Sequence, residues 1–363
     1  MKLKCGARAA SKALFAGLLG VIINVACPAE EYFEKYGLSP ASAPLDLGIQ
    51  PLGYPSGVLS AVMRHDRILK KALINSGHPL QMHAFRRGAD MVKLLADQRL
   101  EAGLLGDMPT ILAAASGNVW IIGLVKQTST AIVAKGDNQV RGLAGKRIAY
   151  VDTSSAHHTL LQGLSSAGLK ETDVKLVTMG VEAMPEALAR GEIDAFAAWE
   201  PGPAIALGNS DKNRIVFRGR SSDYFVIERD FAKRAPQATE ALIAGYLRAI
   251  EWMRRSQTNI EKAAIWAKDD AEALSGKPST LPIAQIVAIT RRELLNVPSA
   301  PAILVAPNSS PPLKTEFEFL KEQKKIPAGG QWENVESALS FDGLARIMAD
   351  MRKFQISRFD YED

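Results

Sequence analysis

Hydrophobic and polar positions along the chain recur with two different periods, and the switches between them mark out the elements. Leu45-Asp46-Leu47-Gly48-Ile49-Gln50 alternates like a short strand. It runs into Pro51-Leu52-Gly53-Tyr54-Pro55-Ser56-Gly57, whose Pro and Gly content predicts a loop. The pattern then predicts a helix over 58–72, a strand over 78–85, a helix over 90–98, a strand over 100–105 and a helix over 110–115. Pro109 suits the first turn of that last helix. After an apolar run at 119–125 the sequence restarts, with strands at 130–134 and 147–151, a helix at 154–166, a strand at 174–178, a helix at 185–190 and a strand at 194–199. Short strands follow at 215–217 and 224–227. Beyond Phe231 the texture changes to amphipathic helices at 238–256 and 259–267, with further helices at 282–295, 315–325 and 341–354 around a Pro-rich loop at 298–312. Strands alternating with helices predict parallel α/β layers, here built twice. Two such units side by side offer a ligand site between them, at the carboxyl ends of their strands.

The first 29 residues obey a different logic. Lys2, Lys4, Arg8 and Lys12 precede an uncharged, mostly apolar stretch from Ala13 to Ile23, which ends in Asn24-Val25-Ala26-Cys27-Pro28-Ala29. This is the pattern of a secretory signal. The apolar stretch rises about 16 Å as a helix, roughly half the hydrocarbon thickness, which favours a removable signal over a permanent span. Cleavage after Ala29 gives a soluble exported protein. Processing before Cys27 would leave a lipid anchor instead, although Asn24 stands where such sites usually carry Leu. The formal charge of +5 falls to +1 when the four basic residues of this segment are gone, so the charge does not describe a polyanion-binding surface. Two Cys, both in this segment, are too few for a zinc cluster or a disulfide framework. A chain of 363 residues with 47% hydrophobic and 23% charged residues is long enough to bury two cores.

Several constellations carry candidate chemistry. Val151-Asp152-Thr153-Ser154-Ser155-Ala156-His157-His158 is a strand end entering a helix, where free N–H groups, the helix dipole and small hydroxyl residues favour an anion. Ordinary capping by Ser154 or Ser155 fits the same residues. His157 and His158 are adjacent, so on a helix they diverge by about 100° and make a poor metal pair, while one of them could reach a ligand. Trp199-Glu200 comes after an apolar strand and offers an apolar wall with a carboxylate beside it; a core Trp with a surface Glu is the other reading. Gly106-Asp107-Met108-Pro109 holds the equivalent place in the first half. Thr128-Ser129-Thr130 and Ser221-Ser222-Asp223-Tyr224 stand where the second unit begins and ends, as hinge segments or as plain polar loops. No Gly-x-Ser-x-Gly elbow or His-Glu-x-x-His helix is present, and nothing local singles out a catalytic pair.

These residues, in this order, resemble the sulfonate, taurine and nitrate family of periplasmic substrate-binding proteins of ABC transporters, with relatives that bind thiamine pyrimidine precursors. The resemblance runs through Gly48-Ile49-Gln50, Phe85 with Gly88, Gly106 to Pro109, Leu143 to Ala149, Ser154 to His158, Gly191 to Ala195, Trp199-Glu200-Pro201 and Tyr224-Phe225-Val226. It implies an α/β fold of the two-lobed periplasmic-binding-protein type II, with hinge crossovers and a ligand cleft between lobes. Residues 45–129 and 228–363 would build lobe one and 130–227 lobe two, after a signal peptide at 1–29. The ligand-binding residues it implies are Gln50, Leu52, Gly106, Asp107, Thr128, Ser129, Ser154, Ser155, His157, Trp199, Glu200 and Tyr224. The implied function is capture of a small organosulfonate for a membrane permease, by a periplasmic monomer without enzymatic activity, cofactor, metal or nucleic acid. Nitrate, an aminopyrimidine precursor, or an enzyme acting on such a pyrimidine are the alternatives. An ionised Glu200 in the cleft would favour an amino-sulfonate such as taurine over nitrate.

Overall fold

The computed structural model describes residues 36–39, 43–136, 139–303 and 310–362. Every element lies within the unit Leu38–Asp363; the expected signal at 1–29, with Cys27, lies outside the described residues, as does part of the Pro-rich loop. The strands are β1 (Leu45–Ile49), β2 (Leu80–Ala84), β3 (Ala102–Gly106), β4 (Val119–Lys135), β5 (Arg147–Tyr150), β6 (Lys175–Thr178), β7 (Ala195–Ala198) and β8 (Asn213–Glu228). The helices are α1 (Ser56–His65), α2 (Arg67–Asn75), α3 (Ala89–Ala96), α4 (Asp107–Ala115), α5 (Ser155–Ser166), α6 (Met184–Arg190), α7 (Gly202–Asn209), α8 (Arg229–Arg234), α9 (Pro236–Arg255), α10 (Gln257–Ser275), α11 (Ile283–Thr290), α12 (Lys314–Glu322), α13 (Trp332–Ala338) and α14 (Asp342–Ala349). A π-helical turn, Arg291–Leu295, extends α11.

The strands join in one sheet in the order β2-β1-β3-β8-β4-β7-β5-β6. The expected α/β class holds, with a long antiparallel pair, β4 and β8, between two parallel triplets. The sequence pattern divides each of these two strands in two, at 119–125 and 130–134 and at 215–217 and 224–227. The structure joins them. Polar residues such as Gln127, Thr128 and Ser129 interrupt the apolar run, yet each finds a backbone partner, in Ser222, Ser221 and Arg220 respectively. Strand pairing satisfies the backbone whatever the side chains are, so a polar stretch ends the hydrophobic pattern without ending the strand.

β4 shows how the second half is packed. Ile132 joins Leu160 and Ala195 in a cluster on one face of the sheet, and its neighbour Val133 joins Met184 and Phe196 on the other. Helices therefore cover both faces, as short parallel strands require. In the first half β1 is buried along its whole length. Its one polar residue, Asp46, is held by His83 Nε2 at 2.8 Å, which is why the alternation seen in the sequence does not give a half-exposed strand.

The single helix expected over 58–72 is two helices, because Asp66 breaks the path and caps α2 by accepting the Leu69 N–H at 3.0 Å. Ser256 caps α10 in the same way through the Asn259 N–H at 3.1 Å. α10 then runs past the expected 267 to Gly276, whose φ of 72° closes it. α9 and α10 pack on α2 and α1, which returns the C-terminal region to the first half of the sheet. Arg248 on α9 locks this return. Its side chain is 2% exposed, with Nε 2.7 Å from Asp66 Oδ2 and Nη1 3.3 Å from the carbonyls of Phe354 and Gln355.

Removing that guanidinium leaves a buried carboxyl without its partner. Arg248→Ala is expected to cost roughly 3–5 kcal/mol in urea unfolding. Arg255→Ala, on the same helix but in an exposed pair with Glu251, is expected to change stability by less than about 1 kcal/mol.

Candidate functional site

The register of the sheet leaves a gap in its middle. β3 ends at Gly106, paired with Asp223, which in turn faces Lys126 on β4. From the other side β7 ends at Ala198, paired with Ala131 on β4. The two triplets run in opposite directions, so their carboxyl ends point toward each other across five residue steps of β4, roughly 17 Å of extended chain. A cavity of about 60 Å³ lies there. At about 10–15 Å³ for each water-sized group, it has room for a handful of heavy atoms.

Its wall is built from the segments just past the strand ends. Gln50 and Gly53 come from the loop after β1, Arg87 and Gly88 from the loop after β2, Gly106 and Asp107 from the end of β3, Val151 to Ser155 from the loop after β5, and Trp199 from the end of β7. Four helix N-termini meet the same space: α1 with Ser56, α3 with Ala89, α4 with Asp107 and α5 with Ser155. Their first N–H groups and dipoles place partial positive charge at this wall. Close approach needs small residues. A Cβ on Gly88 would stand 2.8 Å from Pro109 Cγ and 3.0 Å from Gln50 Oε1. The turn into α5 is tight: Thr153 has φ of 55°, and Ser154 caps the helix by accepting the His157 N–H at 3.3 Å while donating to the Val151 carbonyl at 2.6 Å.

Three charged side chains stand at the hinge side of the cavity. Lys126 Nζ lies 3.5 Å from Asp223 Oδ1, and Asp223 Oδ2 accepts from the Ser56 hydroxyl. Asp107 accepts from the N–H groups of Met108 at 2.8 Å and Ser222 at 3.3 Å. Burial, reinforced by the charge of Glu316, pushes the Asp107 carboxyl up to about 7 against the hydrogen bond from Met108. Burial alone would lower the Lys126 ammonium, but the fields of Asp223, Glu293 and Asp107 outweigh it and hold it above its ordinary value.

Of the residues expected from the sequence, Gln50, Gly106, Asp107, Ser154, Ser155 and Trp199 share this wall. Six others do not reach it. Leu52 lines a separate cavity of about 490 Å³ with Val181 and Ile205. Thr128 and Ser129 are ladder residues of β4 opposite Ser221 and Arg220, and Ser129 Oγ accepts from Arg218. His157 stands behind the wall, with Nε2 3.3 Å from Glu171, Nδ1 3.5 Å from the wall residue Asp152 and its ring against Tyr150 and Phe319. Tyr224 is buried in β8 opposite Leu105 and Leu124, and burial pushes its hydroxyl up. Glu200 is already engaged: Oε2 accepts from the Ala204 N–H at 3.1 Å in the first turn of α7, and Oε1 lies 3.3 Å from Arg292 Nη2. Its carboxylate is not offered to a ligand amine. Sequence reading missed Lys126, Asp223 and Ser56 on the wall, while Arg87, one of a pair with Arg86 that could attract an anion, does line it. Asp223 lies inside a quoted hinge segment, whereas Lys126 comes after an apolar run and carries no local signal.

The Asp107 shift has a consequence for stability. With a folded value of about 7 against an ordinary 3.8, the native protein binds more protons than the unfolded chain between these values. The contribution of this carboxyl is therefore fully present below about pH 4 and lost as the pH rises through about 7. Asp107→Asn is expected to reduce the fall in unfolding free energy between pH 5 and pH 8, read from urea titrations of both proteins.

Comparison with known proteins agrees with this architecture. A taurine-binding periplasmic protein of Escherichia coli (strain K12) is 27% identical over 264 residues, which cover 70% of this chain and 80% of the relative. The solved alkanesulfonate-binding protein from Xanthomonas axonopodis pv. citri, bound to MOPS, superposes with a TM-score of 0.60 at 21% identity, covering 84% of this chain and 100% of that one. The desulfurization enzyme DSZB superposes with a TM-score of 0.54 at 14% identity, covering 86% and 100%. The fold is thus the two-lobed one expected, and it serves binding proteins and an enzyme alike. The NMT1-like family model matches residues 32–268, and with well over half of its length inside that match, the chain belongs to the NMT1-like family.

Proposed function

We propose that this protein is the extracytoplasmic solute-binding component of an ABC importer, and that it closes its two lobes over a small organosulfonate of the taurine or alkanesulfonate type. The observation that carries this reading is the convergence of four helix N-termini on one small cavity walled from both halves of the sheet. Such a wall suits a compact anion, because the partial positive charge of each helix start is fixed and needs no counter-ion of its own. Trp199 supplies an apolar face for a short alkyl chain. Glu200 is tied to Arg292 and to α7, so it gives no preference for an amine, and amino-sulfonates and plain alkanesulfonates belong to one class in this reading.

Ligand contacts from both halves would favour the closed state by differential affinity, and the closed surface would then dock on the permease. Relatives named as periplasmic binding proteins support an exported location.

A thermal-shift panel of taurine, ethanesulfonate, nitrate and an aminopyrimidine tests the reading. The sulfonates are expected to raise the melting temperature, with mass spectrometry recovering them unchanged. Stabilisation by nitrate or the aminopyrimidine alone would sink it. Ser155→Asp, which sets a negative charge at the start of α5, is expected to weaken sulfonate binding by about tenfold or more in calorimetric titration.

A further inference from the structure

One charge in the cavity is not explained by the helix starts. Lys126 is 2% exposed, yet it stands on the cavity wall. Its position depends on an irregularity of the strand: the register between β4 and β8 shifts between Leu124 and Lys126, and a bulge of this kind re-aims the side chain after it. Leu124 stays in the ladder beside Tyr224, while Lys126 turns to the strand ends.

The carboxyls around Lys126 each have a second partner, although one buried oxygen of Glu293 has none. On β8, Asp223 accepts from Ser56 through one oxygen and meets Lys126 through the other at 3.5 Å. That is longer than the roughly 2.7–2.9 Å of a charge-assisted hydrogen bond. On α4, Asp107 accepts from Met108 and Ser222. On the π-helical turn, Glu293 is held by Arg292 Nη2 at 2.6 Å. At the rim, Arg87 pairs with Asp90, and Asp152 with Lys325. An ion pair serving only to staple β4 to β8 would close to hydrogen-bond distance and stay out of the cavity. Lys126 meets Asp223 only at the long limit of a hydrogen bond and stands on the cavity wall, and its ammonium carries three donors.

We propose that Lys126 is the specificity-determining cation of the cleft, supplying the counter-charge that selects a singly charged anionic head over a neutral group of the same shape. The three carboxyls nearby keep the local charge low, so a doubly charged head is repelled where a sulfonate is accepted. The proposal rests on the solute-binding reading of the same cavity.

Calorimetric titration of the full chain with ethanesulfonate and with its neutral isostere ethanesulfonamide tests it. The wild type is expected to prefer the sulfonate. Lys126→Gln is expected to reduce that preference by about tenfold or more, and Lys126→Arg to keep most of it. A merely structural lysine would weaken both probes alike, so an unchanged preference in a folded Lys126→Gln protein overturns the proposal. Should that variant not fold, the wild type labelled at lysine 13Cε decides: the Lys126 resonance, assigned through Lys126→Arg, shifts with ethanesulfonate and holds still with ethanesulfonamide. A resonance indifferent to both overturns the assignment. If the wild type ignores both probes but binds nitrate, and Lys126→Gln abolishes this, the sulfonate reading fails while Lys126 stands. If the wild type binds no anion at all, both fall.

Discussion

The pairing of β4 with β8 is the constraint on which the rest of the structure depends. Two long antiparallel strands pass through both halves of the sheet, and each half adds its parallel strands to one end of the pair. Because the pair is antiparallel and the flanking triplets attach on opposite sides, the triplets run head to head. Every parallel strand hands over to a helix at its carboxyl end. The helix starts of both halves therefore face one gap, and a cavity rimmed by them results from topology before any particular side chain is chosen.

The side-chain ion pairs that cross this gap are individually weak. Lys277 meets Glu186 at 3.6 Å and Lys325 meets Asp152 at 3.3 Å, both with largely exposed side chains. Arg86 pairs with Glu182 at the same level. Arg292 reaches Glu200 at 3.3 Å from a half-exposed position. Exposed ion pairs of this kind are each worth about 0–1 kcal/mol. The histidines of α5 belong to this junction: His158 packs on Phe319 at 4.4 Å, and burial, with His157 beside it, lowers its imidazole to about 4, so it remains neutral there.

Much of the plan is legible in the residues. Alternating strands and helices give the α/β class and its duplication, Pro109 marks the start of α4, and Ser154 with Ser155 marks the start of α5. These signals are local: a cap, a proline or a run of apolar residues acts within a few positions of itself. The residues misplaced by sequence reading share a different property. Glu200 reads as an open carboxylate until Arg292, far along the chain, is brought to it. His157 reads as a ligand to the cleft until the rotation of α5 sets it behind the wall, between Glu171 and Asp152. Thr128 and Ser129 read as cleft-facing or as polar loop until β8 is paired against them, away from the cavity lining.

The chain by itself determined most of the segments that become strands and helices, because hydrophobic period, capping and turn chemistry are short-range properties of the residues. Tertiary structure alone decided that four apolar runs are two continuous strands, that their opposed flanks set the helix starts around one cavity, and that a bulge turns Lys126 into it. Those decisions depend on backbone pairing between residues about ninety positions apart, and such pairing reads the peptide group, which is the same at every position and leaves no mark in the sequence.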